Sequence, residues 1–89
     1  MKVSLYEGMA LWTVRAEYDP ASKVWWTAEC DVPGLVTEGE TLERLRERVV
    51  AVLPEMVELN AHHIEPERRQ GPHSLRLIAH YDGVTQIAA

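Results

Sequence analysis

The chain has little cysteine and fewer basic than acidic residues. Its 89 residues include one cysteine, Cys30, so an intramolecular disulfide and a cysteine-ligated zinc site are both excluded. Nine lysines and arginines stand against fourteen aspartates and glutamates, which gives a formal net charge of -5. Because duplex nucleic acid selects basic surfaces through counterion release, this balance disfavours it as a general partner. A neutral or basic partner is favoured instead.

Export and membrane segments are also missing from the sequence. Glu7 and Gly8 interrupt the first residues before any apolar run reaches the length of a signal-peptide core. The longest apolar run near the middle, residues 49–53, is far shorter than the roughly 18 residues of a membrane span. We therefore expect a protein that is neither exported nor inserted in a membrane, with a cytoplasmic location.

The residues that are present have the composition of an ordinary globular protein. Hydrophobic residues make up 46% and charged residues 26%, with five glycines and five prolines, which argues against disorder and low complexity. The length suits one small domain. We expect residues 1–89 to form that domain, with a core from about residue 10 to residue 81.

The first half of the chain has the pattern of a β-hairpin. Apolar residues alternate with polar ones over residues 11–18, which predicts a strand whose apolar side faces the core. A turn around Asp19 and Pro20 leads to a second strand at residues 24–30, so the two strands should pair antiparallel. Trp25 and Trp26 are neighbours in that strand and must point to opposite faces.

The second half predicts a short strand, a helix and a fourth strand. Residues 35–37 have room for the short strand, and Thr41 is a good helix cap before apolar residues at helical spacing. Because that spacing continues beyond Pro54, we expect a kink there rather than an end. Residues 62–73 should form an exposed connection, residues 74–81 a fourth strand, and residues 84–89 a short final strand or a tail. The fold class is α+β, an antiparallel-type sheet covered by one long helix.

No pattern of catalytic or metal-binding residues stands out. The histidines lack the spacing of a helical zinc site. They are His62, His63, His73 and His80. Asp19, Glu29 and Asp31 fall at strand ends, where carboxylates could hold magnesium. Carboxylates at such positions more often form turns or face solvent, and no nucleophile accompanies these three. Cys30 is expected to fill the core. We therefore predict a protein without metal, cofactor or enzymatic activity.

Protein binding is the function class that the residues favour. Glu40 and Glu43 begin a mixed charge run, which is either a solvated helix face or a partner contact. Trp12 or Trp26 can fill the core, and Trp25 is predicted to face outward as an interface anchor. One helix covers one face of the sheet, so the other face or an edge strand should support a two-fold dimer. Trp25, Leu11 and Thr27 would share that free face.

Five segments between residues 14 and 60 resemble the HicB-like superfamily, in particular its small single-domain branch. They are Val14-Arg15-Ala16-Glu17-Tyr18-Asp19-Pro20, Val24-Trp25, Asp31-Val32-Pro33-Gly34-Leu35-Val36-Thr37-Glu38, Thr41-Leu42-Glu43 and Leu53-Pro54-Glu55-Met56-Val57-Glu58-Leu59-Asn60. The resemblance implies a truncated ribonuclease H-like fold of order β-β-β-α-β. It also implies an antitoxin that binds a small RNA-cleaving toxin of the HicA type, a double-stranded-RNA-binding-domain protein, and masks its active site.

The resemblance implies a binding role without catalysis, and charge would assist it. Glu38, Glu40 and Glu43 would steer a small basic toxin, whereas Trp25 would supply more of the affinity. Many HicB proteins also carry a C-terminal DNA-binding segment, but residues 82–89 are too short for one, so direct DNA binding is not expected. The alternative is a stand-alone small-ligand or regulatory module without a toxin partner.

Overall fold

The computed structural model describes residues 10–88, which form a four-stranded sheet and one long helix. The elements in chain order are β1 (Ala10–Asp19), β2 (Val24–Cys30), β3 (Glu38–Gly39), the helix α1 (Leu42–Leu59), two 3₁₀ turns (Ala61–His63 and Pro66–Arg68) and β4 (His73–His80). The sheet order is β3-β2-β1-β4. The predicted α+β class and the order β-β-β-α-β are confirmed. The expectation that no export signal begins the chain lies outside the described residues.

Strands β1 and β2 form the predicted hairpin. Asp19 closes its turn, because its side chain accepts a hydrogen bond from the Ala21 amide at 3.0 Å and its carbonyl accepts one from the Lys23 amide at 2.7 Å. The register jumps from Arg15 opposite Glu29 to Ala16 opposite Thr27, so β2 contains an extra residue, as in a β-bulge. Alternate residues of β1 are buried, which confirms the side predicted to face the core.

The sheet is mixed, which corrects the prediction of an antiparallel-type sheet. β1 and β2 pair antiparallel, as do β2 and β3, but β4 lies parallel to β1 along its whole length. The reason is the direction of the chain. β3 runs in the same direction as β1, and α1 then leads back to the end of the sheet at which β1 begins. β4 starts from that end and therefore runs parallel to β1. This crossover places β1 in the interior of the sheet, between β2 and β4.

The third strand begins later than predicted. It covers Glu38–Gly39 rather than residues 35–37, because Leu35 turns into the core and Thr37 pairs with Thr27 irregularly. The Thr27 hydroxyl accepts a hydrogen bond from the Thr37 amide at 3.0 Å, in place of a backbone carbonyl. Gly39 then passes so close to the start of α1 that a Cβ there would lie 2.6 Å from the Leu45 backbone nitrogen.

The helix has the start and the apolar face that the sequence predicts. The Thr41 hydroxyl accepts a hydrogen bond from the Arg44 amide at 3.0 Å and caps the first turn. The buried positions recur every fourth residue and are Leu45, Val49, Leu53 and Val57. α1 continues through Pro54, which is exposed beside the start of β4. Among the described residues no helix combines the length and the apolar character needed to cross a membrane.

The connection between α1 and β4 is only partly exposed, contrary to the prediction for residues 62–73. Ile64 is buried, with 5% of its surface exposed, and it completes the core below the sheet. Arg68 lies over the Trp12 ring at 4.0 Å and donates a hydrogen bond to the Leu11 carbonyl at 2.6 Å. The indole of Trp12 also donates to His73 at 3.0 Å. Beyond β4, residues 82–88 form neither a helix nor a strand.

Candidate functional site

The carboxylates considered for metal binding each have a structural partner. Asp19 closes the hairpin turn, Glu29 pairs with Arg15, and Asp31 accepts a hydrogen bond from the Thr13 amide at 3.0 Å. Among residues 10–88, no three acidic, histidine or cysteine side chains come together as a group that could hold a metal ion.

The histidines and the cysteine are similarly dispersed. The rings of His62 and His63 contact each other at 4.0 Å between centroids, whereas His73 accepts the hydrogen bond from Trp12. His80 is exposed at the end of β4. Cys30 packs against the core, as predicted, and burial raises the pKa of its thiol. A raised pKa keeps the sulfur protonated and poorly nucleophilic at neutral pH.

The tryptophan that faces outward is Trp26, which corrects the assignment of that position to Trp25. Trp25 lies opposite Tyr18 in the hairpin and packs against it at 5.3 Å, on the side that faces the helix. Tyr81 completes this aromatic cluster at 6.0 Å from Trp25. Trp26 is opposite Glu17 on the free face of the sheet and is 39% exposed. Trp12 is fully buried, so of the two tryptophans considered for the core, Trp12 and Trp26, it is Trp12 that fills it.

The residues on the free face of the sheet therefore differ from those predicted. Thr27 is buried on the core side, and of the three residues expected on the free face only Leu11 remains there. Arg15 occupies the middle of the face and bridges two carboxylates, Glu17 at 2.6 Å and Glu29 at 3.0 Å. The guanidinium lowers the pKa of Glu29 by hydrogen bonding and by its charge. The centre of the free face is therefore polar, with its charges paired.

One edge of this face contains an apolar groove with acidic walls. We call it the Trp26 groove; it encloses about 400 Å³ and is lined by Asp19, Val24, Trp26, Val36, Thr37 and Glu38. Trp26 stands directly opposite Glu38 in the β2–β3 pairing. Val36 is 80% exposed beside them. Among residues 10–88, the lining includes two carboxylates and no basic side chain, so the groove combines an aromatic surface with negative charge.

The three glutamates predicted to steer a partner lie in three different surroundings. Glu38 lines the Trp26 groove, and Glu40 is exposed just before α1. Glu43 is paired with Arg46 on the helix, and the guanidinium lowers the pKa of its carboxylate. Because its charge is balanced locally, Glu43 adds little to the negative field.

The sequence contains a signal that would have identified Trp26. A four-residue turn at residues 20–23 pairs Asp19 with Val24, so Tyr18 must face Trp25 and share its side of the sheet. Tyr18 belongs to the apolar side of β1, which places Trp25 on the core side as well. Val36 offers no such signal, because its exposure depends on the irregular turn before β3.

Comparison with known proteins gives a family and one related structure. A family model described as a domain of unknown function, DUF1902, matches residues 11–84. The crystal structure of the hypothetical protein TTHA1013 from the extremely thermophilic bacterium Thermus thermophilus is similar, with 35% sequence identity and a TM-score of 0.60. The alignment covers 82% of this chain and 99% of that chain. No curated protein matches the chain.

Proposed function

We propose that this chain, which belongs to the DUF1902 family, is a non-catalytic HicB-like antitoxin that binds a small basic RNA-cleaving toxin and masks it. In this proposal the β-β-β-α-β arrangement is a truncated ribonuclease H-like fold used as a binding platform. The protein acts in the cytoplasm and binds its toxin without contacting DNA. The observation that carries the proposal is the position of the HicB-like motif in the Trp26 groove.

Residues 31–38 of that motif divide between the core and the groove. Val32 and Leu35 are buried, with 1% and 4% of their surfaces exposed. Gly34 permits this path because its φ of 76° lies in the left-handed region that favours glycine. Val36 and Glu38 then emerge into the Trp26 groove. The motif therefore builds one wall of the groove, which supports binding at this surface.

The chemistry of the groove suits a basic protein partner. An exposed tryptophan in a shallow apolar groove can anchor an interface, since large aromatic side chains supply much of the binding energy once they are desolvated. Asp19 and Glu38 would meet cationic side chains of the partner, and the net charge of -5 would accelerate encounter. We therefore assign the anchor role to Trp26, with Glu38 and Asp19 as the neighbouring acidic contacts. Glu40 contributes to steering from farther along the chain.

The absence of catalysis in this proposal is consistent with the roles of the carboxylates. Asp19, Glu29 and Asp31 are engaged in a turn, an ion pair and a backbone hydrogen bond. Masking a toxin requires only that its active site be covered. The antitoxin would then act in proportion to its concentration, without turnover.

An RNA-cleavage assay with the product of the neighbouring gene tests the proposal. The protein in stoichiometric excess should abolish cleavage by a small basic partner. Trp26→Ala should weaken binding about 30-fold, the effect of losing roughly 2 kcal/mol at an interface anchor. Leu59→Ala is the matched control, because it removes an apolar side chain that is 64% exposed on the helix. Unchanged cleavage at an excess of the protein would contradict the antitoxin role and favour a stand-alone ligand-binding module.

The electrostatic part of the proposal has its own test. Glu38→Lys should slow association with the toxin, and the difference from the unmodified protein should shrink as salt rises. Glu55→Lys makes the same charge change at an exposed position on the helix and serves as the control. Equal effects of the two substitutions would show that net charge, and not the Trp26 groove, determines the association rate.

A further inference from the structure

Among the strands of residues 10–88, β4 forms one edge of the sheet along its full length. It is last in the strand order, and within residues 10–88 no strand pairs with its outer side. Alternate residues of a strand direct their N–H and C=O groups to the same side, so the outer side of β4 presents a row of such groups. The strand contains no proline, and Arg76 is its only arginine, lysine or acidic residue. Such an edge can accept another strand.

The core side of β4 is also poorly covered. Leu75 and Leu77 are half-buried and Ala79 is exposed, whereas Ala16, the neighbour of Ala79 in β1, is fully buried. The following residues include Val84, which is 99% exposed. Apolar side chains that face the helix side of a sheet are normally covered. The uncovered area therefore lies along the same edge of β4 that no strand of residues 10–88 covers.

We propose that a second copy of this chain pairs antiparallel with β4 about a two-fold axis at Ala79. In this register Arg76 of each copy lies opposite Asp82 of the other, so two equivalent ion pairs form. Leu77 of each copy faces Tyr81 of the other on the helix side of the sheet. Residues 82–85 become an extension of β4 and pair with the start of β4 in the second copy.

Charge complementarity selects this register. Even-numbered residues of β4 face away from the helix, so a continued strand places Arg76 and Asp82 on the same face. An axis at Leu77 would instead place Arg76 opposite Ile78 and Asp82 opposite Pro72, and it would leave Val84 outside the pairing. The axis at Ala79 satisfies both charges and covers Val84, which would lie opposite Ser74.

This dimer is independent of the proposed antitoxin function. It joins two four-stranded sheets into one of eight strands, with both helices on the same side. The Trp26 groove lies at the β3 end of the strand order, away from the new pairing, so each copy keeps it accessible. A failure of toxin binding would therefore leave the dimer unaffected, and a failure of dimerisation would leave the groove intact.

Sedimentation equilibrium of the full chain at micromolar concentration tests the dimer, and charge exchange tests the register. Arg76→Glu should raise the dimer dissociation constant about tenfold or more, because two favourable cross-strand pairs become two repulsive ones. Asp82→Arg should do the same. The double variant with both substitutions should restore the dissociation constant of the unmodified chain. Lys23→Glu, an exposed position in the hairpin turn, changes the net charge as Arg76→Glu does and should have little effect.

Amide hydrogen exchange gives a second measurement at the same positions. Alternate amides of residues 82–85, those directed at the second copy, should exchange slowly in the dimer and quickly in Arg76→Glu. A chain that stays monomeric throughout the micromolar range overturns the proposal. A dimer that is insensitive to Arg76→Glu, or that the double variant fails to restore, places the interface elsewhere and overturns it equally.

Discussion

Arg68 connects the segment after the helix to the central strand, and its removal should be costly. Its guanidinium lies 4.0 Å from the centroid of the Trp12 ring and donates a hydrogen bond to the Leu11 carbonyl at 2.6 Å. Asp31 and Glu65 lie farther away, at 3.7 and 3.8 Å from its nitrogens. We expect Arg68→Ala to lower the free energy of unfolding by about 2 kcal/mol.

The size of this effect follows from the contacts. A hydrogen bond from a charged donor contributes about 1.5–3 kcal/mol, and a partly desolvated cation–π contact about 1 kcal/mol. The two more distant ion pairs add little, because such pairs at the surface contribute about 0–1 kcal/mol. Up to about 2 kcal/mol of side-chain entropy regained by the free arginine offsets part of the sum. The remainder is about 2 kcal/mol.

Thermal and urea unfolding of three variants would measure this loss of unfolding free energy. For a domain of this size, a loss of about 2 kcal/mol corresponds to a Tm lower by about 8–16 °C. Arg68→Lys should lose about half as much, because a lysine keeps the charge but not the planar stacking. Glu65→Gln is the control and should change stability by less than about 0.5 kcal/mol. An Arg68→Ala variant as stable as that control, or an Arg68→Lys variant as stable as the unmodified protein, would refute this role of Arg68.

Three further perturbations test other parts of the structure. Gly39→Ala should destabilise the protein by at least about 3 kcal/mol in urea unfolding, since its Cβ would meet the Leu45 backbone at 2.6 Å; a loss below about 1 kcal/mol would contradict that packing. Pro54→Ala should raise the unfolding free energy by about 1–2 kcal/mol, because it restores a helix hydrogen bond at an exposed position; a decrease in thermal stability would mean that the proline geometry is required for packing. Arg15→Gln should return the pKa of Glu29 toward its ordinary value of 4.5 in an NMR titration. Since that pKa is lowered in the folded protein, the contribution of the ion pair is complete above the ordinary value and is lost as pH falls through the lowered value; an unchanged titration would exclude Arg15 as the cause.

The sequence predicted the elements better than it predicted their arrangement. Alternation in β1, the Thr41 cap and the apolar positions of α1 are local signals, and the structure confirms each of them. The parallel pairing of β4 was missed because strand direction depends on where the chain returns after the helix. Arg68 was missed because its position depends on contacts with Leu11 and Trp12 of β1, more than 50 residues away in the chain. Ile64 was missed because its burial depends on where the chain returns to the core after α1.

The residues of the candidate site differ in how far the sequence indicates their positions. Glu38, expected as an acidic residue that steers a partner, lines the Trp26 groove, and its role in binding stays a prediction. The outward tryptophan was assigned wrongly, although hairpin register alone would have placed Trp25 beside Tyr18. The bulge in β2 does not alter this register, because the extra residue lies beyond Thr27, farther from the turn than both tryptophans. The position of Val36 in the groove could not be predicted from sequence, because neither the geometry of the turn before β3 nor the exposure of Val36 follows from composition.

The parallel pairing of β1 with β4 has a consequence for biosynthesis. Trp12 and His73, which form a hydrogen bond in the finished sheet, are 61 residues apart in the chain. A nascent chain therefore releases its central strand from the ribosome long before the neighbour of that strand has been made. Until then one side of β1 has no partner, and the surface of Trp12 that Arg68 and His73 cover is open to chaperones and proteases. Completion of the sheet must wait until β4 has been made, so β1, the first of the described strands to be made, is the last to be enclosed.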